Sequence, residues 1–334
     1  MGFAAEKKKA DKKWSRLKLA VLFIVIAAVL ACALLSVFLP SWSWKYRVSL
    51  PKVDKRADGE MRIHFLDVGQ GDATIVELPD GKVALIDGGN ASKDSEYALM
   101  RYLYALEIER IEYLILTHAD EDHCGSLDIV LDCLEVKNAY IPLASEQANT
   151  QYTQFYTALK AEEGCSVAYA KNGLRLSGEN YSFVFLHPYT YDVENTLSAK
   201  GNFDDASNEY SAVLFLEYNG VGTLFMGDLP AEQEKILVQS QAAGILSTDI
   251  SDTEILKVGH HGSNTSTSIE LLSAIGVETA IISCGENTYG HPHEDTLGRL
   301  SEKEAQVYRT DTQGSIIVSV KKAEETYSVR ALGK

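Results

Sequence analysis

The chain has 334 residues, 46% of them apolar, which is ample for a buried core in one large domain or two modest ones and excludes a small stapled scaffold. Its formal net charge of −16 argues against capture of nucleic acid by a basic surface. The five cysteines, at 32, 124, 133, 165 and 284, show no C-x-x-C spacing, so they imply neither a disulfide framework nor a zinc knuckle.

Residues 1–18 hold Lys7, Lys8, Lys9, Lys12, Lys13, Arg16 and Lys18 against Glu6 and Asp11 and form a basic tail. Leu19–Leu39 is then 21 residues without a charge, about what a helix needs to cross a hydrocarbon layer of roughly 30 Å. A cleaved leader has a shorter apolar run that ends at a small-residue site; here the run ends in Pro40, Trp42 and Trp44, an interfacial belt, and an anchor is expected. The positive-inside tendency places the tail in the cytoplasm and everything after the span outside the cell, as a single-pass cell-membrane protein. Residues 19–334 retain 24 of the 31 Lys and Arg and 45 of the 47 Asp and Glu, so the outer part carries −21.

Residues 40–60, with Pro40, Pro51 and Gly59, lack periodicity and suggest a linker, leaving 61–334 as the folded domain. Short β-rich runs at Ile63–Leu66, Thr74–Leu78 and Val83–Ile86 precede a helix near Glu96–Leu106 and a strand at Tyr113–Thr117. A helix near Leu127–Leu134, a strand at Ala139–Ile141 and a polar helix between Gln151 and Glu163 follow. A second strand set is expected at Tyr181–Leu186, Ala212–Glu217, Thr223–Met226, Ile255–Val258, Ala280–Ser283, Val307–Tyr308 and Ser315–Val320. Helices near Glu232–Gln239, Ser268–Ala274 and Thr296–Glu302 separate them, and the polar segment 190–209 is expected to be a loop near the site mouth. Two β-then-α halves suggest an α/β fold of two sheets packed face to face under outer helices.

Residues 114–125 read LILTHADEDHCG, an apolar strand that delivers His118, Asp120, Asp122 and His123 within six positions. Such density of imidazole and carboxylate suits metal ligation, whereas the plainer reading is a polar loop with Asp122 capping a helix. Cys124 beside them is expected to be a small buried filler. Other apolar strands also end in His or Asp: His187 in YSFVFLHP, Asp228 in TLFMGDLP, and His260 and His261 in ILKVGHHGS. Capping alone does not readily produce four such strand ends.

These motifs resemble the metallo-β-lactamase superfamily, an αββα sandwich that holds one or two metals. FLDVGQGDATIV, ALIDGG, ILTHADEDHCGS, NEYSAVLFLEY, FMGD, LKVGHHGSNTS, YGHPHEDTLGRL and VYRTDTQGSI are similar in turn to the hydrolase domain of the competence protein ComEC/Rec2 family, across about residues 61–320. The resemblance implies two divalent ions, Zn²⁺ or Mn²⁺, one held by His118, Asp120 and His187 and the other by Asp122, His123 and His260, with Asp228 shared. Asp120 stands where the superfamily pattern has a second His, which shifts preference toward harder ions such as Mn²⁺ without excluding Zn²⁺. His260 is preferred to His261 as ligand because it comes first after the strand, and His261 is assigned to substrate phosphate.

Asp122 is the expected catalytic residue, orienting a metal-activated water. Asp67 and Asp87 are candidate acceptors that fix imidazole tautomers, or turn residues beside glycines; Gln70 and Asp72 occupy a turn that can approach the metals. His291 and His293, and Asn208 with Ser211, are candidates for substrate contact, with cap, turn or local strand roles as the alternative. The multi-span region of full competence proteins does not occur in these residues, so a stand-alone anchored hydrolase is expected. Its expected substrate is a phosphodiester, with single-stranded DNA as one candidate; the alternatives are a small or wall-linked phosphoester of the phosphorylcholine type, and a non-catalytic metal-binding surface module. A β-lactamase activity is the weaker reading, and nothing in the sequence points to a protein partner.

Overall fold

The computed structural model describes residues 2–38, 41–178, 180–189, 208–322 and 325–334. The chain divides into two compact units, Met1–Ser49 and Leu50–Lys334. In the first, a single helix α1 (Gly2–Phe38) contains the basic tail as well as the apolar run, and Trp14–Leu34 is long and apolar enough to cross a membrane. Most of segment 190–209 lies outside the described residues.

In the second unit, the first sheet opens with β1 (Met61–Phe65), β2 (Thr74–Glu77) and β3 (Val83–Ile86), paired antiparallel. Parallel strands β4 (Arg110–Ile115), β5 (Glu135–Ile141) and β6 (Ser166–Tyr169) extend one edge. The second sheet runs through β7 (Arg175–Gly178), β8 (Tyr181–His187), β9 (Val213–Tyr218), β10 (Val221–Phe225), β11 (Thr253–Lys257), β12 (Thr279–Ile282) and β13 (Gln306–Arg309) in spatial order 13-12-11-10-9-8-7. The chain then returns to the first sheet as β14 (Ile316–Val320) and β15 (Tyr327–Ala331), giving the order 15-14-1-2-3-4-5-6.

Strand alternation places one residue set between the sheets and the other beneath helices. Phe65, Val76, Ile86 and Ile115 from the first sheet share one core with Phe183, Phe185, Leu214, Leu216 and Phe225 from the second. The Phe65 and Phe225 rings are 6.2 Å apart and join the two layers. On the far face of the second sheet, Val184, Phe215, Leu224 and Leu256 pack with Leu237, Leu271, Leu272 and Leu300. The αββα sandwich expected from the sequence is present.

The outer helices begin where local chemistry allows. Ser92 Oγ accepts from Ser95 N–H at the start of α2 (Lys93–Ala105), and Asn149 Oδ1 accepts from Tyr152 N–H at that of α5 (Thr150–Ala161). Between them lie α3 (Glu121–Cys124) and α4 (Leu127–Cys133). The second sheet carries α6 (Ala231–Ala242), α7 (Ile269–Ala274) and α8 (Glu294–Glu302), and α9 (Thr310–Gln313) leads into β14.

Three strands absent from the sequence reading are β6, β7 and β15, which lie at sheet edges. Residues 50–60, expected as linker, are held to the domain: Asp54 pairs with Arg330 at 2.7 Å, Lys55 with Glu107 at 2.7 Å, and Arg56 approaches Glu77 at 3.7 Å. Their polar composition hid the docking because the contacts are ion pairs rather than apolar burial.

Candidate metal centre

The parallel pairs β3–β4 and β10–β11 bring Asp87, His118, Asp228 and the His260–His261 pair to neighbouring strand ends. There the backbone departs from common conformations: Asp87, His260 and His261 have φ of 60°, 50° and 52°. Non-glycine residues seldom adopt positive φ, and such strain concentrates at functional sites. Gly71, with φ 143°, allows the β1–β2 turn to lie on Asp122, since a Cβ there would stand 2.5 Å from the Asp122 carbonyl oxygen. Asp72 N–H donates to that same oxygen at 3.0 Å.

Asp120 occupies the N-cap position of α3, yet its side chain makes no capping hydrogen bond. It lies instead 3.6 Å from His118 Nε2, and Asp122 sits inside the first turn rather than at the cap. Cys124 is buried and directs Sγ to the Ala119 carbonyl at 3.5 Å, the small-filler role expected of it.

Around Asp228 the side chains converge. His118 Nε2 is 3.9 Å from Asp228 Oδ2 and His123 Nε2 is 3.4 Å from Oδ1; His260 Nε2 and His261 Nε2 each lie 3.6 Å from Oδ2. His261 Nε2 is also 3.2 Å from Asp122 Oδ2. The ligating atoms of His118, His123 and Asp228 all lie within 4.8 Å of one another, and so do those of Asp122, His123 and His261.

Four of these atoms, His118 Nε2, His123 Nε2, His261 Nε2 and Asp228 Oδ1, are buried without a hydrogen-bond partner among the described residues. Orphaned buried polar atoms are costly and rare in folded proteins. Divalent cations satisfy all four at once, so the residues present fit a metal centre.

Three of the imidazoles are oriented from behind. His123 Nδ1 donates to Asp87 Oδ2 at 2.8 Å, while the same carboxylate accepts from Thr117 N–H and Oγ1–H, each at 2.8 Å. His187 Nδ1 donates to the Ser211 carbonyl at 2.9 Å, and Ser211 Oγ accepts from Asp228 N–H at 3.1 Å. His261 Nδ1 lies 3.0 Å from the Ser283 carbonyl and 3.2 Å from Asp72 Oδ1. These acceptors hold a proton on Nδ1 and make Nε2 the nitrogen available to a metal.

The electrostatics favour added positive charge. Burial alone would raise the Asp228 carboxyl, but the surrounding imidazoles hold it well below the usual range. The Asp122 carboxyl is held down to about 2 against its burial by the neighbouring imidazoles of His261 and His123. Conversely, Asp228 and Asp72 outweigh burial and push His261 up to about 10. Among the described residues His187 meets no such carboxylate, and burial lowers it to about 4, leaving it neutral as a ligand imidazole must be.

The sequence-predicted residues divide accordingly. His118, Asp122, His123 and Asp228 are drawn together, with Asp120 beside His118 and His187 tied through Ser211 to Asp228. Of the adjacent pair, His261 is the one buried against Asp122, while the His260 side chain is 27% exposed and its ring lies 5.3 Å from that of His291. Asp87 has the imidazole contact anticipated for it. Asp67 does not: its carboxylate pairs with Lys334 at 2.8 Å, and Asp72, in the turn expected to approach the metals, faces His261 instead.

His291 faces the cluster, its backbone clamped by Asn287 through contacts of 2.7 and 3.0 Å. His293 is the N-cap of α8, accepting from Asp295 N–H at 3.2 Å, so it fills the cap role that the sequence offered as the alternative. Asn208 begins a short 3-10 turn whose carbonyl accepts from Ser211 N–H at 3.0 Å, so it braces the residue that orients His187. Lys257, a buried partner of Asp72, was not singled out from the sequence; its signal was a lone charge ending an apolar strand.

Comparison with known proteins follows the same lines. The profile of the metallo-beta-lactamase superfamily matches residues 66–286. The ComE operon protein 3 of Bacillus subtilis is 33% identical over 288 residues, covering 81% of this chain and 34% of that protein. Recombination protein 2 of Haemophilus influenzae is 29% identical over 261 residues, covering 77% of this chain and 29% of its own length. The chain thus spans about a third of these relatives, as the ComEC/Rec2 resemblance of its motifs implied. Among solved structures, the metallo-beta-lactamase fold protein YhfI from Bacillus subtilis superposes with a TM-score of 0.50 at 10% identity, covering 78% of this chain and all of that one, a likeness of fold alone.

Proposed function

The chain belongs to the metallo-β-lactamase superfamily, and on that premise we propose that it is a membrane-anchored metal-dependent hydrolase acting on a phosphodiester. The observation that carries this reading is the set of four buried, unpartnered atoms on His118, His123, His261 and Asp228. One ion would be held by His118, Asp120 and His187, the other by Asp122, His123 and His261, with Asp228 shared. This differs from the sequence expectation only in placing His261 where His260 stood.

When bound, a pair of divalent ions supplies Lewis acidity and ionises water near neutral pH, and Zn²⁺ and Mn²⁺ both suit these donors. The protein's own contribution is orientation. Asp87 and the carbonyls of Ser211 and Ser283 hold three rings with Nε2 inward. Asp122, whose side chain is 32% exposed, reaches the surface of the cluster and can accept a proton from attacking water. His260, displaced from the second ligand group, and His291 stand ring to ring 5.3 Å apart on the more exposed side of the cluster and are placed to meet a substrate oxygen.

A cleft of about 740 Å³ adjoins Asp122 and is lined by Gln70, Asn90, Glu121, Glu286 and Tyr289 among others. Its charged lining is acidic, and the region after the apolar run carries −21. Both features disfavour a long polyanion and support a short phosphodiester or the end of a single strand. By the positive-inside tendency the basic tail would lie in the cytoplasm and the hydrolase domain outside.

The test uses the full chain in detergent, loaded with Zn²⁺ or Mn²⁺, on bis(p-nitrophenyl) phosphate, a dinucleotide, single-stranded DNA and nitrocefin. Turnover of the small diesters ahead of long DNA is expected. Turnover of nitrocefin alone would overturn the phosphodiester assignment, and inactivity on every ester would favour a metal-binding surface module.

A further inference from the structure

Behind the ring of candidate ligands the two sheets are tied by a buried ion pair. Lys257 is the last residue of β11 and shares a strand face with Ile255, which belongs to the core between the sheets. Its side chain therefore points inward, and the residue is 2% exposed. Nζ lies 2.6 Å from Asp72 Oδ2 and donates to the Val258 carbonyl at 3.1 Å. Asp72 follows β1 in the other sheet and is itself buried.

Asp72 touches both halves of one ligand group. Its N–H donates to the Asp122 carbonyl at 3.0 Å, and Oδ1 stands 3.2 Å from His261 Nδ1. A buried ion pair contributes little to stability relative to apolar side chains of the same size. Joining two sheets does not require one. The position of this pair, directly behind Asp122 and His261, gives it a different use.

We propose that Lys257 is a positioning residue: by fixing Asp72 it holds His261 and Asp122 in register for the second ion, a role that rests on the ligand reading above. With one oxygen taken by Lys257, Asp72 turns the other to His261 Nδ1, alongside the Ser283 carbonyl. Both acceptors lie at Nδ1, and Nε2 faces Asp122 and Asp228. His118 and His187 have no contact with this pair among those described, so the effect falls on one ion and spares the other.

The test is Zn²⁺ titration of the metal-free full chain in detergent, with bound metal counted by elemental analysis. Wild type is expected to bind two ions. Lys257→Met leaves Asp72 buried without its partner, and the affinity of one ion should fall by about 10–100-fold while the other is unchanged. Because that variant can fail to fold, Lys257→Met is paired with Asp72→Asn, which removes both charges and keeps their shape. The same selective loss is expected in the double variant. Two ions bound there as tightly as in wild type would show an inert salt link and overturn the proposal. Independently of any variant, ¹⁵N shifts of the His261 ring in the Zn²⁺-loaded chain should report a proton on Nδ1; a proton on Nε2 in that loaded chain would also overturn it. A wild-type chain that binds no ion would sink the ligand reading itself.

Discussion

Asp87 Oδ2 and His123 Nδ1 stand 2.8 Å apart, both residues buried, and this contact determines which nitrogen of His123 faces Asp228. The acceptor comes from the end of β3 and the ring from α3, the short helix after β4, so the pairing of β3 with β4 aligns the imidazole. Asp87→Asn keeps the side-chain shape and tolerates the positive φ, since Asn and Asp share that tolerance. It removes the charge that binds the Nδ1 proton. Metal affinity is expected to fall about 10–100-fold with the fold intact, read by zinc titration alongside circular dichroism.

His260 and His261 provide a sharper contrast because they are adjacent in sequence. His261→Ala should remove one of two ions. His260→Ala should retain both and lose activity through substrate contact. Elemental analysis of the two purified variants distinguishes them, and loss of an ion from His260→Ala alone would restore the order expected from the sequence.

Asp122→Ala should lower kcat/KM by about 10²–10⁴-fold, the range of a lost proton-transfer group, and more where metal is lost with it. The side chain is about a third exposed, so the melting temperature should change little. Undiminished activity in this variant would remove Asp122 from the site.

A pH-dependent contribution to stability lies away from the metals. His64 is buried on β1, with Nε2 2.8 Å from Glu77 and Nδ1 3.0 Å from the Tyr102 hydroxyl. Burial lowers its pKa below the ordinary value of 6.5, and the nearby Glu77 only partly offsets this. The unfolded chain therefore takes up a proton near pH 6.5 that the folded chain still refuses, and stability falls as pH drops from about 6.5 through the folded-state value. Above that window the contribution is constant. Chemical denaturation of wild type and His64→Gln between pH 5 and 8 should show a shallower acid slope in the variant; identical slopes would contradict the assignment.

Where alternation and strand-end chemistry coincide, the sequence was informative. Val83–Ile86 has the same bounds in both readings, and His118, His187 and Asp228 each end an apolar run that becomes a central strand. Edge strands gave less signal. Ser166–Tyr169 has two exposed residues and only four positions, whereas Tyr327–Ala331 does alternate Tyr, Val and Ala with Ser and Arg and was legible in principle. The choice between His260 and His261 depended on backbone: two successive positive φ values swing the second ring inward, and residue order carries no trace of that. Asp67 and Asp72 likewise differ only in how the β1–β2 turn folds, one toward Lys334 and the other toward Lys257.

The central claim is that side chains from separate strand ends hold two cations around Asp228. Anomalous diffraction from crystals of the full chain grown with Zn²⁺, recorded on both sides of the zinc edge, tests it most directly. Two peaks are expected, one beside His118 and His187 and the other beside Asp122 and His261, with Asp228 contacting both. A map with no peak at Asp228, or with the metals bound elsewhere, would contradict the account.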